Sequence, residues 1–249
     1  ILAAIDWSVV NKDKLLPAGI HKCGVGSVGW GAALFYDTEK HPSGPTNFAE
    51  FWDLEKFPGK RSMRTGPKMT LEAALLAAGV SKDELYDVLA TEEGVDRAFA
   101  KLDEIKSEIV WWKSGAQPLQ FVGSGEVEYA LAYTGRVLRA KDEESKAYEL
   151  QWNTLLYSID YWTAIAKSPM QDEAMKMIEW ITDVEQLKNQ ASVWPISPAN
   201  KEFYEDKALV EANPGMVLSH ADEGLFIDTE FWITYGDDLS ARCEAWSAQ

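Results

Sequence analysis

Apolar and polar positions follow two different periods along the chain. Trp30 to Tyr36 (WGAALFY) is a nearly unbroken apolar run, closed by Asp37 and the His41-Pro42-Ser43-Gly44-Pro45 loop, and predicts a buried strand. Val110-Trp111-Trp112 predicts a second. Val127 to Tyr133 (VEYALAY) predicts a strand that turns at Thr134-Gly135-Arg136. Tyr148, Leu150 and Trp152 share one face of a further strand, and Asp160 to Ile165 predicts another buried one. Between these lie helical stretches: Leu71 to Ala78, stopped by Gly79, and a helix through Leu89 opened by the capping pair Ser81 and Glu84. Val95, Phe99, Leu102 and Ile105 place one apolar stripe on a helix from Glu92 to Lys106. The pair Ser114 and Gln117 opens the next, with Pro118 in its first turn and a stop near Gly123 and Gly125. Beyond Asp172 the pattern is mainly helical, through Ala174, Ile178 and Ile181, a crossing at Pro195 and Pro198, and a final helix carrying Phe231, Tyr235, Leu239 and Arg242. Strands alternating with helices indicate an α/β protein.

The chain has 249 residues, 46% of them hydrophobic, which supplies either one large core or two smaller lobes. Forty acidic against 24 basic residues give a formal charge of -16, a field that repels phosphate backbones and anionic headgroups. Nucleic acid and membrane surfaces are excluded as expected partners on that ground. No apolar run reaches the ~20 residues of a membrane helix, and no signal peptide is legible in a chain that opens at Ile1. Three histidines without ligand spacing predict no metal site. Cys23 and Cys243 are compatible with a bond between the two ends or with two separate thiols. Gly24-Val-Gly26-Ser-Val-Gly29 matches the GxGxxG of dinucleotide-binding folds, but a strand follows it where a helix is required, so it reads as a flexible or closely packed crossing. A hydrolase using Asp160 with Glu126 or Glu128 lacks a recognisable acid/base motif. Neither enzyme reading leads, and no cofactor is expected.

Two segments carry a more specific signal: Cys23 to Asp37 (CGVGSVGWGAALFYD) and Phe48 to Arg64 (FAEFWDLEKFPGKRSMR). With LEAALLAAGV, GVDRAFAKLDEIKSEIVWWKSGAQP, GSGEVEYALAYTGR, DYWTAIAKSP and DTEFWITYGDDLSARCEAW in order behind them, the chain resembles periplasmic solute-binding proteins of ABC importers, in the polyamine-binding class. The resemblance implies a two-lobed periplasmic-binding-protein fold of type II, with lobe one incomplete because family members carry further residues ahead of the position of Ile1. It implies a partial lobe one from residues 1–33 and 160–220, including the crossing strands, and a lobe two from residues 34–159 and 221–249. It further implies a ligand held in the cleft between the lobes, an ABC permease as partner, a periplasmic location and no catalysis.

The resemblance also implies site residues, with one departure. Where polyamine binders of the family place acidic residues after the K-x-G-K turn, this chain has Arg64-Thr65-Gly66-Pro67-Lys68. Tyr133 matches the cleft aromatic before the turn, Arg136 follows that turn, and Asp160 matches the carboxylate at the return crossing. Trp30 and Trp162 sit where the family boxes the ligand's methylene chain. An Arg fork suits a carboxylate and an Asp suits an ammonium, so the ligand expected is a small amine or an amino-acid-like zwitterion of the polyamine or γ-aminobutyrate type, a saccharide being the alternative. Trp111, Trp112, Trp152 and Trp180 are expected in the core.

Overall fold

A computed structural model of the chain describes residues 1–193 and 196–248. Its strands are β1 (Ile20–His21), β2 (Gly24–Asp37), β3 (Arg61–Arg64), β4 (Ile109–Trp112), β5 (Tyr129–Tyr133), β6 (Tyr148–Trp162) and β7 (Leu225–Phe226). Its helices are α1 (Phe48–Trp52), α2 (Thr70–Ala77), α3 (Leu85–Leu89), α4 (Glu92–Asp103), α5 (Gln117–Ser124), α6 (Thr134–Glu144), α7 (Gln171–Ile181), α8 (Val184–Ala191), α9 (Lys207–Ala212) and α10 (Thr229–Ser247). The chain forms two compact units, one of Ile1–Trp30 with Tyr157–Ala221 and a second of Gly31–Leu156 with Asp222–Gln249.

The second unit is built on a sheet in the order β4-β3-β5-β2-β6-β7. β3 runs parallel to both β4 and β5, whereas β5 meets β2 antiparallel with Ala32 opposite Tyr133 and Tyr36 opposite Tyr129. Residues 31–36 are buried on both faces of β2, which is why the run is apolar without alternation. On one face Ala33, Phe35, Ala130 and Ala132 pack with Val122 of α5 and with Val137 and Ala140 of α6. That packing also explains α6, where the sequence predicts only a turn: the Thr-Gly pair is a turn signal, but Val137 and Ala140 have an apolar face to cover.

β3 begins with a fully buried cation. The Arg61 guanidinium donates to the carbonyls of Phe51 (Nε, 2.9 Å), Gly59, Asp53 (3.2 Å) and Phe57, and lies over the rings of Tyr129 and Phe51 at 5.3 and 5.8 Å. Gly59 turns this loop with φ 107°, in the left-handed region that favours glycine.

Glu72, in the first turn of α2, is a fully buried carboxyl. Its Oε1 accepts from Trp232 Nε1 of α10 (2.8 Å) and from the Tyr86 hydroxyl of α3 (3.1 Å), while Oε2 has no hydrogen-bond partner. Burial pushes the Glu72 carboxyl above its ordinary value, against the hydrogen bonds that would lower it.

The first unit has little regular sheet, namely β1 and the portions of β2 and β6 that fall in it, supplemented by isolated bridges such as Val28 to Pro198. Pro195, the other half of the expected crossing, lies outside the described residues. Ile5, Val10, Leu15 and Val25 pack against Met175 and Ile178 of α7, and a second cluster joins Leu187, Ile196, Phe203 and Met216. Lys14, only 3% exposed, fastens the amino-terminal segment to α7 through the Glu179 carboxylate (2.9 Å) and carbonyl (3.0 Å).

The glycine run lies inside β2, so no strand-turn-helix exists there and the dinucleotide reading falls. A Cβ on Gly26 would stand 2.6 Å from the Gly19 Cα and 2.7 Å from the Ala199 Cβ, and one on Gly29 would stand 2.6 Å from Leu218, so the glycines serve close packing. Three further expectations are corrected. The two strands expected at Tyr148 and Asp160 are one continuous β6, which ends at Trp162, and its end is not buried: Asp160 and Trp162 are exposed, as is Ile165 beyond it. Trp180 is 58% exposed, because α7 buries Met175 and Ile178 and Trp180 lies about 200° around the helix from Ile178. Ser81 does not cap a helix; its hydroxyl donates to the Glu84 side chain and α3 starts at Leu85. Trp112 is buried, whereas Trp111 and Trp152 are half-buried, and both cysteines are free thiols.

The buried Glu72 makes a testable prediction about pH. Its proton is held in the folded chain above the ordinary carboxyl value of 4.5 and released near that value on unfolding. Above 4.5 the unfolded state therefore binds fewer protons, and stability falls as pH rises. Glu72→Gln removes this dependence, so the stability of the variant relative to wild type is expected to increase from about pH 5 to pH 8 in urea denaturation. A difference that stays constant across that range would refute it.

Candidate functional site

The carboxyl ends of β3, β4 and β5 lie on one edge of the second unit, because the three strands are parallel and Arg64 is paired opposite Trp112. Helices α2, α5 and α6 begin within a few residues of those ends, so their amino-terminal N–H groups turn toward the same edge. None of the three is capped by a side chain. Open α/β sheets offer ligand sites at such an edge, where the field is positive. Gln117 Oε1 accepts from the Lys113 and Ser114 N–H groups at 2.8 Å and so shapes the turn between β4 and α5, half of the expected capping box.

Three of the expected site residues fall here. Arg64 ends β3, Tyr133 ends β5, and Arg136 is in the first turn of α6. Tyr133 and Arg136 are brought together over Gly115: a Cβ placed there would stand 2.8 Å from the Tyr133 ring and 2.9 Å from Arg136 Nε. Trp112 braces the Tyr133 ring from the sheet, with centroids 5.4 Å apart, and is itself fixed by Nε1 donating to the Leu131 carbonyl at 2.9 Å. Thr134 Oγ1 donates to the Gly31 carbonyl at 3.3 Å and ties the start of α6 to β2. Among the described residues, neither Arg64 nor Arg136 takes part in an ion pair.

The other three belong to the first unit. Trp30 is half-buried on β2. Asp160 and Trp162 share one face of β6, as residues two apart on a strand must. Tyr161 between them faces the other way, its ring against Gly24 and its hydroxyl donating to the Ala18 carbonyl at 2.6 Å, and this inward clamp turns its neighbours outward. Burial raises the Tyr161 hydroxyl pKa, so it stays a donor. Trp162 walls a cavity of about 280 Å³ with Val28, Ile181, Thr182, Leu187 and Ile196, which Asp160 does not line. Asp160 is exposed and, among the described residues, without an ion-pair partner. Glu128, one of the two glutamates offered for a hydrolase beside Glu126, is held by His41 Nε2.

A model of the bacterial extracellular solute-binding proteins matches residues 6–217. The chain belongs to that family. The gamma-aminobutyric acid-binding protein of Pseudomonas aeruginosa is 38% identical over 238 residues, 95% of this chain and 67% of that protein. The solved structure of the Atu4243 GABA receptor superposes with a TM-score of 0.86 at 29% identity, covering all of this chain and 76% of the receptor. An ABC transporter substrate-binding protein from Bradyrhizobium japonicum superposes equally, with a TM-score of 0.86 at 29% identity over 98% of this chain and 76% of that one. The fold is thus that of the periplasmic binding proteins, and the function class is solute binding for ABC transport. No described helix is long and apolar enough to cross a membrane.

For a solute-binding protein, the residues invisible to sequence reasoning are the supports of the edge. Gly115 sits in a polar turn with nothing to mark it, and the Trp112 indole bond to Leu131 depends on strand order. The spacing of Lys113, Ser114 and Gln117 was the only available signal for this turn. Trp112→Phe leaves the Leu131 carbonyl without its donor and is expected to cost about 1–3 kcal/mol in urea denaturation. An unchanged midpoint would show that this bond does not support the edge.

Proposed function

We propose that this protein captures a small zwitterion of the γ-aminobutyrate type and delivers it to an ABC permease from the periplasm. The observation that carries the reading is the pair of arginines, Arg64 and Arg136, without ion-pair partners among the described residues, at the positive edge where three parallel strands end and three helices without side-chain caps begin. Two cations at an edge that already favours negative charge suit a carboxylate and disfavour a second ammonium. A diamine therefore fits this edge less well than an ω-amino acid. Asp160 supplies the opposite charge in the first unit, exposed and uncommitted, and in this reading it takes the ammonium, with Trp30, Tyr133 and Trp162 offering aromatic faces to the cation and its methylene chain. The names of the Pseudomonas aeruginosa protein and of the Atu4243 receptor support the same ligand class.

The deciding experiment is calorimetric titration of the wild-type protein with γ-aminobutyrate, 1,4-diaminobutane, α-amino acids and neutral sugars. γ-Aminobutyrate is expected to bind most tightly, and a preference for a sugar or for the diamine would overturn the reading. Asp160→Asn is expected to weaken γ-aminobutyrate at least about tenfold, because an ammonium that loses its carboxylate typically costs ~2–5 kcal/mol. Arg136→Ala is expected to weaken γ-aminobutyrate by a similar factor while 1,4-diaminobutane is unaffected or strengthened. Equal effects on both ligands would remove Arg136 from carboxylate recognition.

A further inference from the structure

We propose that Gly115 is a specificity-determining position of the solute site: the absence of a side chain there sets the orientation of the Arg136 guanidinium, and with it the preference for a carboxylate. The inference rests on the reading that Arg136 receives the anionic end of the solute.

Gly115 is not needed for its backbone. The glycines in the left-handed region are Gly59, Gly66, Gly79 and Gly125, and Gly115 is not among them, so an alanine could adopt its conformation. What it provides is space. A Cβ would stand 2.8 Å from Tyr133 Cδ2, 2.9 Å from Arg136 Nε and 3.2 Å from Tyr133 Cε2, with no backbone atom among the three nearest. The first two separations are shorter than side chains tolerate, so both groups must give way, one further than the other.

The structure determines which. Tyr133 is held on its far side by the Trp112 ring, and Trp112 is locked by its bond to Leu131. The Tyr133 backbone is registered opposite Ala32 in the β2 ladder. Arg136 is exposed, and no described ion pair holds its side chain. The larger displacement falls on Arg136. Its Nε belongs to the guanidinium plane, so the contact with Gly115 fixes the direction of the whole fork, and bidentate recognition of a carboxylate is sensitive to that direction. Gly115 acts through Arg136 and is a positioning residue.

The test is a double-mutant cycle on the full chain, with γ-aminobutyrate as the probe in calorimetric titration. Gly115→Ala is expected to weaken γ-aminobutyrate roughly tenfold, with a lowered thermal midpoint because the braced Tyr133 ring is pressed as well. In an Arg136→Ala background the same substitution is expected to weaken binding by about threefold or less, since only the Tyr133 contact is left to disturb. A thermal midpoint of Gly115→Ala that is partly restored by Arg136→Ala supports the same contact. Wild-type affinity in Gly115→Ala, or an equal loss with and without the Arg136 side chain, overturns the inference while leaving the function intact. Failure of the wild-type protein to bind γ-aminobutyrate or any other zwitterion overturns the functional reading and this inference together.

Discussion

The loop from α1 to β3 closes around one desolvated cation, and the working edge of the second unit takes its position from that closure. Among the described residues no carboxylate forms an ion pair with Arg61; carbonyls of Phe51, Asp53, Phe57 and Gly59 satisfy its donors, and the Tyr129 and Phe51 rings cover its faces. Burial makes the charge harder to keep and lowers its affinity for the proton. A guanidinium is protonated anyway, and its planar fork reaches several acceptors at once, which a lysine ammonium cannot match. Arg61 is also the first residue of β3, paired with Ile109 on one side and Tyr129 on the other. Fixing it fixes the register of three parallel strands and so the places where Arg64, Trp112 and Tyr133 emerge.

Much of this architecture is legible in the sequence because it depends on local period. The WGAALFY run, the VEYALAY alternation and the stripe of Val95, Phe99 and Leu102 each mark an element, since burial on two faces, one face or one helix stripe leaves a different pattern. The places where the sequence misleads are those where tertiary partners decide. Thr134-Gly135 signals a turn, yet Val137 and Ala140 draw the chain into α6. Trp180 is as apolar as a core residue and still lies on the outer face of α7. Glu72 and Arg61 look like surface charges, because nothing local announces that Trp232, 160 positions away, will bond the one or that four carbonyls will gather on the other.

The site is legible in part for the same reason. Arg136 and Asp160 carry charge types that suggest a zwitterion, and the replacement of expected acids by Arg64 and Lys68 is visible in one line of sequence. Their geometry is not. Tyr161 turns Asp160 outward, Gly115 leaves room for Arg136 and Tyr133, and Trp112 braces the Tyr133 ring. Each of these depends on a neighbour brought in by strand order. Residue chemistry in this protein can be read from the chain, whereas residue direction has to be read from the fold.

The interleaving of the two units in sequence has a consequence for synthesis. The first unit consists of residues 1–30 and 157–221, so its opening segment leaves the ribosome long before α7, whose Met175 and Ile178 cover Ile5, Val10 and Leu15. For the seconds that translation of the intervening residues takes, those apolar side chains and the Lys14 ammonium wait without their partners. The sheet of the second unit can assemble in that interval, apart from β7 and α10, which arrive last. Residues 1–30 are thus exposed to misassociation until α7 is made, and a chaperone that shields them would act during that interval.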